Sequence, residues 1–375
     1  MKYISLSQEN ALPIMMKGNI FLTGPPGSGK TYLLKKFIQM CKDLHLNIAV
    51  TGTTGMAAYL LNGTTINSWA GLGLGDKPIK ETVIAIKKNP KCYDRWWNTQ
   101  VLIIDEVSML SVELFEKIEH VARLIRKNEK YFGGLRVIFS GDFFQLPPVN
   151  GQMLFQSNLW EKVVDYGVHL KHIYRQKDNK FLKLLLEIRL GNKLSIDSWE
   201  TLLKPFGRII KKKYNKPIRL FPRKYEMNLH NQKKLKEIDG TKYKFEVESK
   251  IPKKLPTELI PFFIKKIDKS SSFQNKIIFK TGAQVILIKN LHNLGLVNGN
   301  IGKIIGWENG DPVVLFENNK EITITKQLWE IETNWGNVGR KQLPLILGWA
   351  ITIHRSQGQT LSSVMIDIGK KVKHM

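Results

Sequence analysis

The sequence predicts an α/β protein whose first half is built on a parallel β-sheet. Three short apolar runs, Ile20–Leu22, Val101–Ile104 and Leu135–Ser140, have the length and composition of buried strands. Each run breaks into glycine or polar residues at its end, which is typical where the carboxyl ends of parallel strands meet a ligand. We therefore expect the functional residues of the first half to gather at one edge of the sheet.

The first run leads into a glycine-rich loop, and the residues after the loop have helical spacing. The loop reads Gly24-Pro25-Pro26-Gly27-Ser28-Gly29-Lys30-Thr31. Strand, glycine-rich loop and helix in this order are the context of a phosphate-binding P-loop, whose backbone N–H groups close around phosphate oxygens. We assign Lys30 to the β- and γ-phosphates of a nucleotide and the Thr31 hydroxyl to Mg²⁺. The alternative is a glycine-rich turn that binds nothing, and the strand and helix on either side disfavour it.

The second run ends in two adjacent carboxylates, Asp105 and Glu106. We assign Asp105 to Mg²⁺, directly or through water, and Glu106 to orienting and deprotonating an attacking water. A paired Asp-Glu favours hydrolysis over phosphoryl transfer to a substrate hydroxyl. The alternative is a helix start with acids in its first turn, and the P-loop upstream weighs against it.

The third run is followed by Gly141-Asp142-Phe143-Phe144-Gln145-Leu146-Pro147-Pro148-Val149. Gln145 is placed to touch the γ-phosphate and to report whether it is present. The alternative is that Gln145 is only a turn residue, since polar side chains are common in turns.

This third segment resembles the third motif of the Pif-type (petite integration frequency) DNA helicases, superfamily 1B enzymes related to RecD. Further segments resemble motifs of the same family, in order along nearly the whole chain: Thr54–Ala58, Gly63–Gly75, Glu113–Lys127, Leu170–Gln176, Leu296–Gly302 and Trp349–Thr360. An ordered series of this kind is more specific than any single motif.

The resemblance implies two RecA-like P-loop NTPase domains, each a parallel sheet flanked by helices, with a small β-barrel inserted in the second. It also implies an ATP-driven motor that walks 5′ to 3′ on single-stranded DNA and opens duplexes. By matching motif, Arg175 would touch the γ-phosphate from the second domain's side of the cleft. Asn10 falls where the family has the glutamine that reads adenine, with Gln8 two residues earlier.

The family's DNA-contacting motifs correspond here to six residues: Thr54, Asn67, Trp69, His354, Ser356 and Gln357. Asn67 stands where the family has His, and Arg355 where it often has Lys, so we expect altered strength of contact rather than loss. Trp69, Trp96, Trp97 and Phe144 are candidates to stack on bases. Burial in the core is an equal alternative for each of these rings.

The motifs predict the domain organisation. Residues 1–190 should form the first RecA-like domain, with a small excursion at about 76–97 near the point of strand separation. Residues 191–375 should form the second, with the SH3-like β insertion at about 277–331. After Ile368 the family continues into a last motif with a phosphate-contacting arginine, which is missing here, and we expect the second domain to be short at its C-terminus.

The composition favours a nucleic-acid partner, because 58 Lys and Arg against 32 Asp and Glu give a formal net charge of +26. A generic solvated face is the alternative for any single basic cluster. We expect single-stranded and forked DNA as partners, a monomer, and no membrane association, since no run of about 18 apolar residues occurs. We expect the protein to be intracellular and soluble, in the nucleus or another DNA-containing compartment such as a mitochondrion or a viral replication site.

The function expected from these residues is that of an ATP-dependent 5′-to-3′ DNA helicase in replication, repair, recombination or genome and telomere maintenance. Two alternatives stay open. One is a DNA-stimulated ATPase that does not unwind duplexes. The other is a truncated, hydrolysis-deficient protein that binds single-stranded DNA.

Overall fold

The computed structural model describes residues 1–375 except 74, 150, 206–216, 272, 334, 360, 362 and 367–375. The chain divides into two compact units, Met1–Arg208 and Ile209–Met375. The basic triplet Lys211-Lys212-Lys213 and the end of the chain after Ile366 lie outside the described residues.

The first unit is built on a seven-stranded sheet in which every pair of neighbouring strands is parallel. Its strand order is β1-β7-β2-β6-β5-β3-β4. The strands are β1 (Lys2–Leu6), β2 (Ile20–Thr23), β3 (Ile48–Gly52), β4 (Thr64–Thr65), β5 (Val101–Asp105), β6 (Arg136–Ser140) and β7 (Tyr166–Leu170). The three strands predicted from the apolar runs are therefore confirmed as β2, β5 and β6, and they lie side by side in the order β2-β6-β5.

Helices cover both faces of this sheet. They are α1 (Gln8–Met15), α2 (Lys30–Asp43), α3 (Gly55–Leu60), α4 (Ile66–Ala70), α5 (Ile79–Lys87), α6 (Pro90–Asn98), α7 (Val112–Arg126), α8 (Trp160–Val163), α9 (Asn179–Arg189) and α10 (Ile196–Leu203). Side chains of β5 alternate between two cores: Leu102 and Ile104 join the core that α7 covers, and Val101 and Ile103 join the core that α2 covers. A sheet buried on both faces explains why its strands are continuous apolar runs rather than alternating ones.

Residues 76–97, expected as a small excursion, form the helices α5 and α6. Both helices pack against α7, and Ile86 and Trp96 are buried in the same core as Phe115 of α7. The segment is therefore an extension of the hydrophobic core of the first unit.

In its described residues, the second unit combines small sheets with three α-helices. A parallel sheet has the order β19-β8-β20, and the remaining sheets are antiparallel, with the orders β15-β14-β13-β12-β18, β10-β17-β16 and β11-β9. The elements are β8 (Ile218–Phe221), α11 (Lys224–Lys236), β9 (Tyr243–Glu246), β10 (Glu248–Lys250), α12 (Ile260–Ser270), β11 (Lys276–Phe279), β12 (Gln284–Leu287), β13 (Ile301–Glu308), β14 (Asp311–Phe316), β15 (Glu321–Thr323), β16 (Gln327–Thr333), β17 (Gly336–Gln342), β18 (Leu345–Leu347), β19 (Ala350–Thr352), α13 (Ile353–Ser356) and β20 (Val364–Ile366).

Residues 277–331, where the SH3-like insertion is expected, are shared among the three antiparallel sheets, and a tight turn joins β13 to β14. Glu308 pairs with Asp311, and the two residues between them, Asn309 and Gly310, have φ values of 51° and 86°. Positive φ at both central residues defines the tight hairpin turn for which an Asn-Gly pair is favoured. Among the helices that the structure describes, none is both long and apolar enough to cross a membrane.

The aromatic cluster around Phe115 predicts a large stability effect. Phe115 is fully buried, and its ring centroid lies 5.7, 5.8 and 6.0 Å from those of Phe132, Phe139 and Trp160. Phe115→Ala should lower the free energy of unfolding by about 3–5 kcal/mol, because it leaves a cavity between the sheet and α7. Leu124→Ala, on the exposed side of the same helix, should change it by less than about 0.5 kcal/mol. Urea unfolding of the two variants measures both values, and equal losses would contradict this account of the core.

Candidate functional site

The loop after β2 has the backbone of a phosphate-binding cradle. Gly27 and Gly29 have φ values of 82° and 88°, in the left-handed region that side chains disfavour. A Cβ on Gly27 would lie 2.7 Å from the Cβ of Arg175, and one on Gly29 would collide with the amide of Gln8. Helix α2 begins at Lys30, so its N-terminus opens onto this loop. The sequence prediction of strand, loop and helix is confirmed.

Two side chains of the loop have the chemistry that an anion needs. The Lys30 ammonium donates to the carbonyl oxygens of Gly24, at 2.6 Å, and Pro25, at 3.3 Å. Burial lowers the pKa of Lys30, and the charges of Asp142, Glu106 and Asp105 oppose that shift. The hydroxyl of Ser28 is buried and makes no hydrogen bond within the structure. A buried hydroxyl without a partner is costly, so this donor set fits a phosphate group.

The two carboxylates at the end of β5 lie near Lys30. Asp105 is only 4% exposed, and burial together with the charge of Glu106 raises its pKa to about 6. Glu106 has φ 56° and ψ 44°, a left-handed conformation that costs a non-glycine residue about 1–3 kcal/mol. The Thr53 hydroxyl donates to the Glu106 carbonyl oxygen at 2.8 Å and helps to hold this conformation. Strain of this kind is typical of functional sites.

The same carboxylates fit the predicted Mg²⁺ site. A divalent cation would offset the repulsion between Asp105 and Glu106 that raises the Asp105 pKa. The described residues contain no group of three or more His, Cys, Asp and Glu side chains that would hold a metal alone. Mg²⁺ is commonly held by one or two protein ligands together with substrate phosphates. Asp105 and Thr31 are the residues that would hold it.

Gln145 lies in the turn that follows β6 and is held by a neighbour that sequence reasoning missed. Its side-chain Nε2 donates to Asp142 Oδ2 at 3.3 Å. Asp142 is fully buried and forms a bidentate ion pair with Arg189 of α9. The charges of Asp142 and Arg189 both affect the pKa of Lys30, so the pair lies beside the loop. The Gly-Asp pair after the third apolar run was the available signal for Asp142, whereas the partner 47 residues away had no local signal.

Two further residues, Arg175 and Asn10, are predicted to contact the nucleotide. Arg175 belongs to the first unit, where it lies against Gly27 of the loop, and its contact with the γ-phosphate stays a prediction. The backbone N–H of Tyr174 donates to the Gly27 carbonyl oxygen at 2.8 Å and fixes this position. Gln8 donates from Nε2 to the Ser28 carbonyl oxygen at 3.0 Å, whereas Asn10 lies exposed on α1. The residue of this pair that contacts the loop is thus Gln8.

The predicted DNA-contacting residues of the first unit lie after β3 and on α4. Thr54 is half-buried between β3 and α3, and Asn67 donates from Nδ2 to the Gly73 carbonyl oxygen at 3.2 Å. Trp69 is only 6% exposed, and its ring centroid lies 4.5 Å from that of the buried Trp96. These two rings belong to the core and are not available to stack on a base, whereas Trp97 and Phe144 are exposed.

The other predicted DNA-contacting residues, His354, Ser356 and Gln357, belong to the second unit. His354 and Ser356 lie on the short helix α13, which follows β19 of the parallel sheet, and Gln357 follows that helix. The Ser356 hydroxyl donates to the Ile353 carbonyl oxygen at 2.7 Å, which ties it to its own helix.

The parallel sheet and the loop at its edge define the class of this protein, a P-loop NTPase fold with a RecA-like sheet. The model of the family described as PIF1-like helicase matches residues 8–198, just over half of the chain. The chain belongs to this PIF1-like helicase family.

Individual relatives agree with that membership. The ATP-dependent DNA helicase PIF1 of Homo sapiens is 36% identical over 378 residues, which cover 97% of this chain and 57% of the human protein. The crystal structure of Pif1 helicase from Candida albicans superimposes with a TM-score of 0.85 at 32% identity, covering 99% of this chain and 90% of that one. Pif1 helicase from Bacteroides in complex with ADP-AlF3 and single-stranded DNA gives 0.68 at 26% identity, covering 97% and 86%. The chain thus spans a little over half the length of its human relative.

The raised pKa of Asp105 predicts a pH-dependent stability difference. An acid whose pKa rises from 3.8 to about 6 on folding stabilises the folded state when protonated. That contribution is fully present below about pH 4 and is lost as the pH rises through about 6. Relative to Asp105→Asn, the unaltered chain should therefore lose up to about 3 kcal/mol across this window. Urea unfolding of both proteins over the same pH series measures this loss, with Asp94→Asn on the exposed surface of α6 as control. If the free energies of unfolding of the unaltered chain and Asp105→Asn differ by the same amount at every pH, the raised pKa of Asp105 is contradicted.

Proposed function

We propose that this protein is an ATP-dependent DNA helicase that translocates 5′ to 3′ on single-stranded DNA and unwinds duplexes. The observation that carries the proposal is the collection of Lys30, Asp105, Glu106 and Gln145 at one edge of the parallel sheet, beside the glycine loop. A protein that only binds DNA has no use for a hydrolytic set of this kind. Membership of the PIF1-like helicase family supports DNA as the partner.

The residues divide the work of hydrolysis between them. Lys30 would exchange its bonds to loop carbonyls for the β- and γ-phosphates of ATP, and the N-terminus of α2 would add to the positive potential. Mg²⁺, held by Thr31 and Asp105, would offset the charge of the same phosphates. Glu106, held in its strained conformation at the end of β5, would take the proton of the attacking water. Gln145 would contact the γ-phosphate, and Arg175, beside Gly27, would add a second cation there.

Adenine recognition is assigned to the start of α1. Asn10 occupies the family's position for the base-reading side chain, and Gln8 contacts the glycine loop. We propose that Gln8 takes part in holding the nucleotide and that Asn10 contributes less than the glutamine it replaces.

Single-stranded and forked DNA are the proposed partners. The formal net charge of +26 favours a phosphate backbone, with binding that weakens as salt rises. Thr54 and Asn67 would contact the strand from the first unit, and His354, Ser356 and Gln357 from the second. Trp69 would not contact a base, and would support the DNA-contacting residues only by packing in the core. We propose a monomeric motor that acts in replication, repair or recombination, in the nucleus or another compartment that contains DNA.

The domain assignment is part of the proposal. Residues 1–190 would form the nucleotide-binding RecA-like domain, and 191–375 the second, with the SH3-like insertion at about 277–331. At the proposed boundary, helix α10 packs against α9, and the backbone N–H of its N-cap residue Ser195 donates to the Glu187 carboxylate at 2.9 Å.

Removing the Lys30 ammonium tests the nucleotide site. Lys30→Ala should reduce ATP hydrolysis stimulated by single-stranded DNA by at least about 10³-fold, because the charge on the transferred phosphate goes uncompensated. Lys35→Ala, an exposed residue on the same helix, should leave hydrolysis unchanged. Both variants should bind a fluorescent oligonucleotide like the unaltered chain. Hydrolysis that survives in Lys30→Ala would reject the assignment, and DNA binding without hydrolysis in the unaltered chain would favour a binding protein.

The polarity of movement is tested with tailed duplexes. A duplex with a 5′ single-stranded tail should be unwound when ATP is present, and the same duplex with a 3′ tail should not. Strand separation is followed by fluorescence dequenching, and Lys30→Ala provides the control without turnover. Unwinding of only the 3′-tailed substrate would reverse the proposed direction. Hydrolysis without unwinding of either substrate would instead identify a DNA-stimulated ATPase.

A further inference from the structure

The carboxylate of Asp142 is the hub of the polar contacts behind Gln145. Asp142 is fully buried directly after β6, and its two oxygens accept four hydrogen bonds. Arg189 donates from Nη2 to Oδ1 at 2.7 Å and from Nη1 to Oδ2. The Phe144 backbone N–H donates to Oδ1 at 3.2 Å, and Gln145 Nε2 donates to Oδ2 at 3.3 Å. A buried carboxylate is costly unless partners of this kind surround it.

The chemistry of Asp142 decides which way the Gln145 amide faces. An ionised carboxylate only accepts hydrogen bonds, so Gln145 must turn its NH₂ group, not its carbonyl oxygen, toward Asp142. The carbonyl oxygen is then directed away from the carboxylate. The orientation of the amide matters for a glutamine that contacts both a γ-phosphate and an attacking water. Its NH₂ group can donate to a phosphate oxygen, and its carbonyl oxygen can accept a hydrogen bond from the water.

Arg189 fixes the carboxylate itself. Two parallel bonds from a planar guanidinium set both the position and the rotation of the Asp142 carboxylate, which a single ammonium does not. The guanidinium also lies 4.5 Å from the centroid of the exposed Phe144 ring, a cation–π contact that holds the residue before Gln145. Arg189 thus constrains both the carboxylate that Gln145 contacts and the neighbour that precedes it in the chain.

We propose that Arg189 and Asp142 form a positioning pair that holds the Gln145 amide in the orientation needed for hydrolysis of the γ-phosphate. The inference rests on the proposed function, since it presumes ATP turnover at this site. It adds a residue of α9 to the hydrolytic apparatus, although that helix lies outside the loop, the paired carboxylates and the segment of Gln145. Arg189 acts through Asp142 and is not itself assigned to the phosphates.

A double-mutant cycle on ATP hydrolysis tests the pair. Arg189→Lys keeps the positive charge and loses the fork, so kcat should fall roughly 10- to 100-fold, with a change in KM for ATP of less than about threefold. Gln145→Ala should lower kcat at least as much. Adding Arg189→Lys to Gln145→Ala should then cost less than about twofold, because the group that Arg189 positions is already gone.

The matched control is another bidentate arginine of the first unit. Arg123 pairs with the buried Glu119 on α7, at 3.0 Å for each of two contacts, and lies outside the site. Arg123→Lys should have the same small effect on kcat with and without Gln145. If Arg189→Lys unfolds in a thermal scan, Asp142→Asn replaces it in the cycle, since an amide at this position no longer dictates the orientation of Gln145.

The outcomes separate the two proposals. In one outcome, hydrolysis depends on Lys30 while the effects of Arg189→Lys and Gln145→Ala on kcat multiply. This result overturns the positioning pair and leaves the proposed function standing. An unaltered chain without Lys30-dependent hydrolysis overturns the proposed function and the positioning pair with it. Non-multiplying losses at Arg189 and Gln145, beside independent effects at Arg123, establish the pair.

Discussion

Burial of the parallel sheet on both faces is the constraint on which the first unit depends. Once α2 and α7 cover the two faces, backbone groups and polar side chains reach a ligand only at the ends of the strands. Because β2, β6 and β5 are neighbours and parallel, their carboxyl ends deliver the glycine loop, Gln145 and Asp105 to one place. The chemistry of the site is therefore a consequence of strand order, which the hydrophobic cores on either side maintain.

Charge balance then decides how that edge of the sheet behaves. Two carboxylates at the end of β5 and a third after β6 face two cations, Lys30 and Arg189, in surroundings where burial magnifies every interaction. Asp142 is matched by Arg189, whereas burial and then the charge of Glu106 raise the pKa of Asp105. Asp105 is therefore suited to a divalent cation, and the ion-paired Asp142 is suited to a structural task. Environment thus gives similar acids different roles.

Local sequence patterns predicted most of this architecture. Continuous apolar runs identified β2, β5 and β6, and the glycine-rich sequence after β2 identified a loop whose φ values glycine adopts readily. The errors concern long-range packing. Whether Trp69 stacks on DNA or on Trp96 depends on α6, and whether Gln8 or Asn10 contacts the loop depends on the start of α1. Arg189 finds Asp142 across 47 residues, a pairing that no local pattern encodes.

Side chains of α6 and α7 hold in place the segment that carries Asn67. Trp96 donates from Nε1 to the Ala70 carbonyl oxygen at 3.1 Å, and Arg95 donates from Nε to that of Trp69 at 3.2 Å. Lys117 of α7 donates to the Gly75 carbonyl oxygen at 2.8 Å. Carbonyl groups bound in this way fix the path of the backbone around Asn67, so burying the tryptophans fixes where Asn67 is presented. A ring in the core and a polar group nearer the surface are two parts of one arrangement, in which the core determines the position of Asn67.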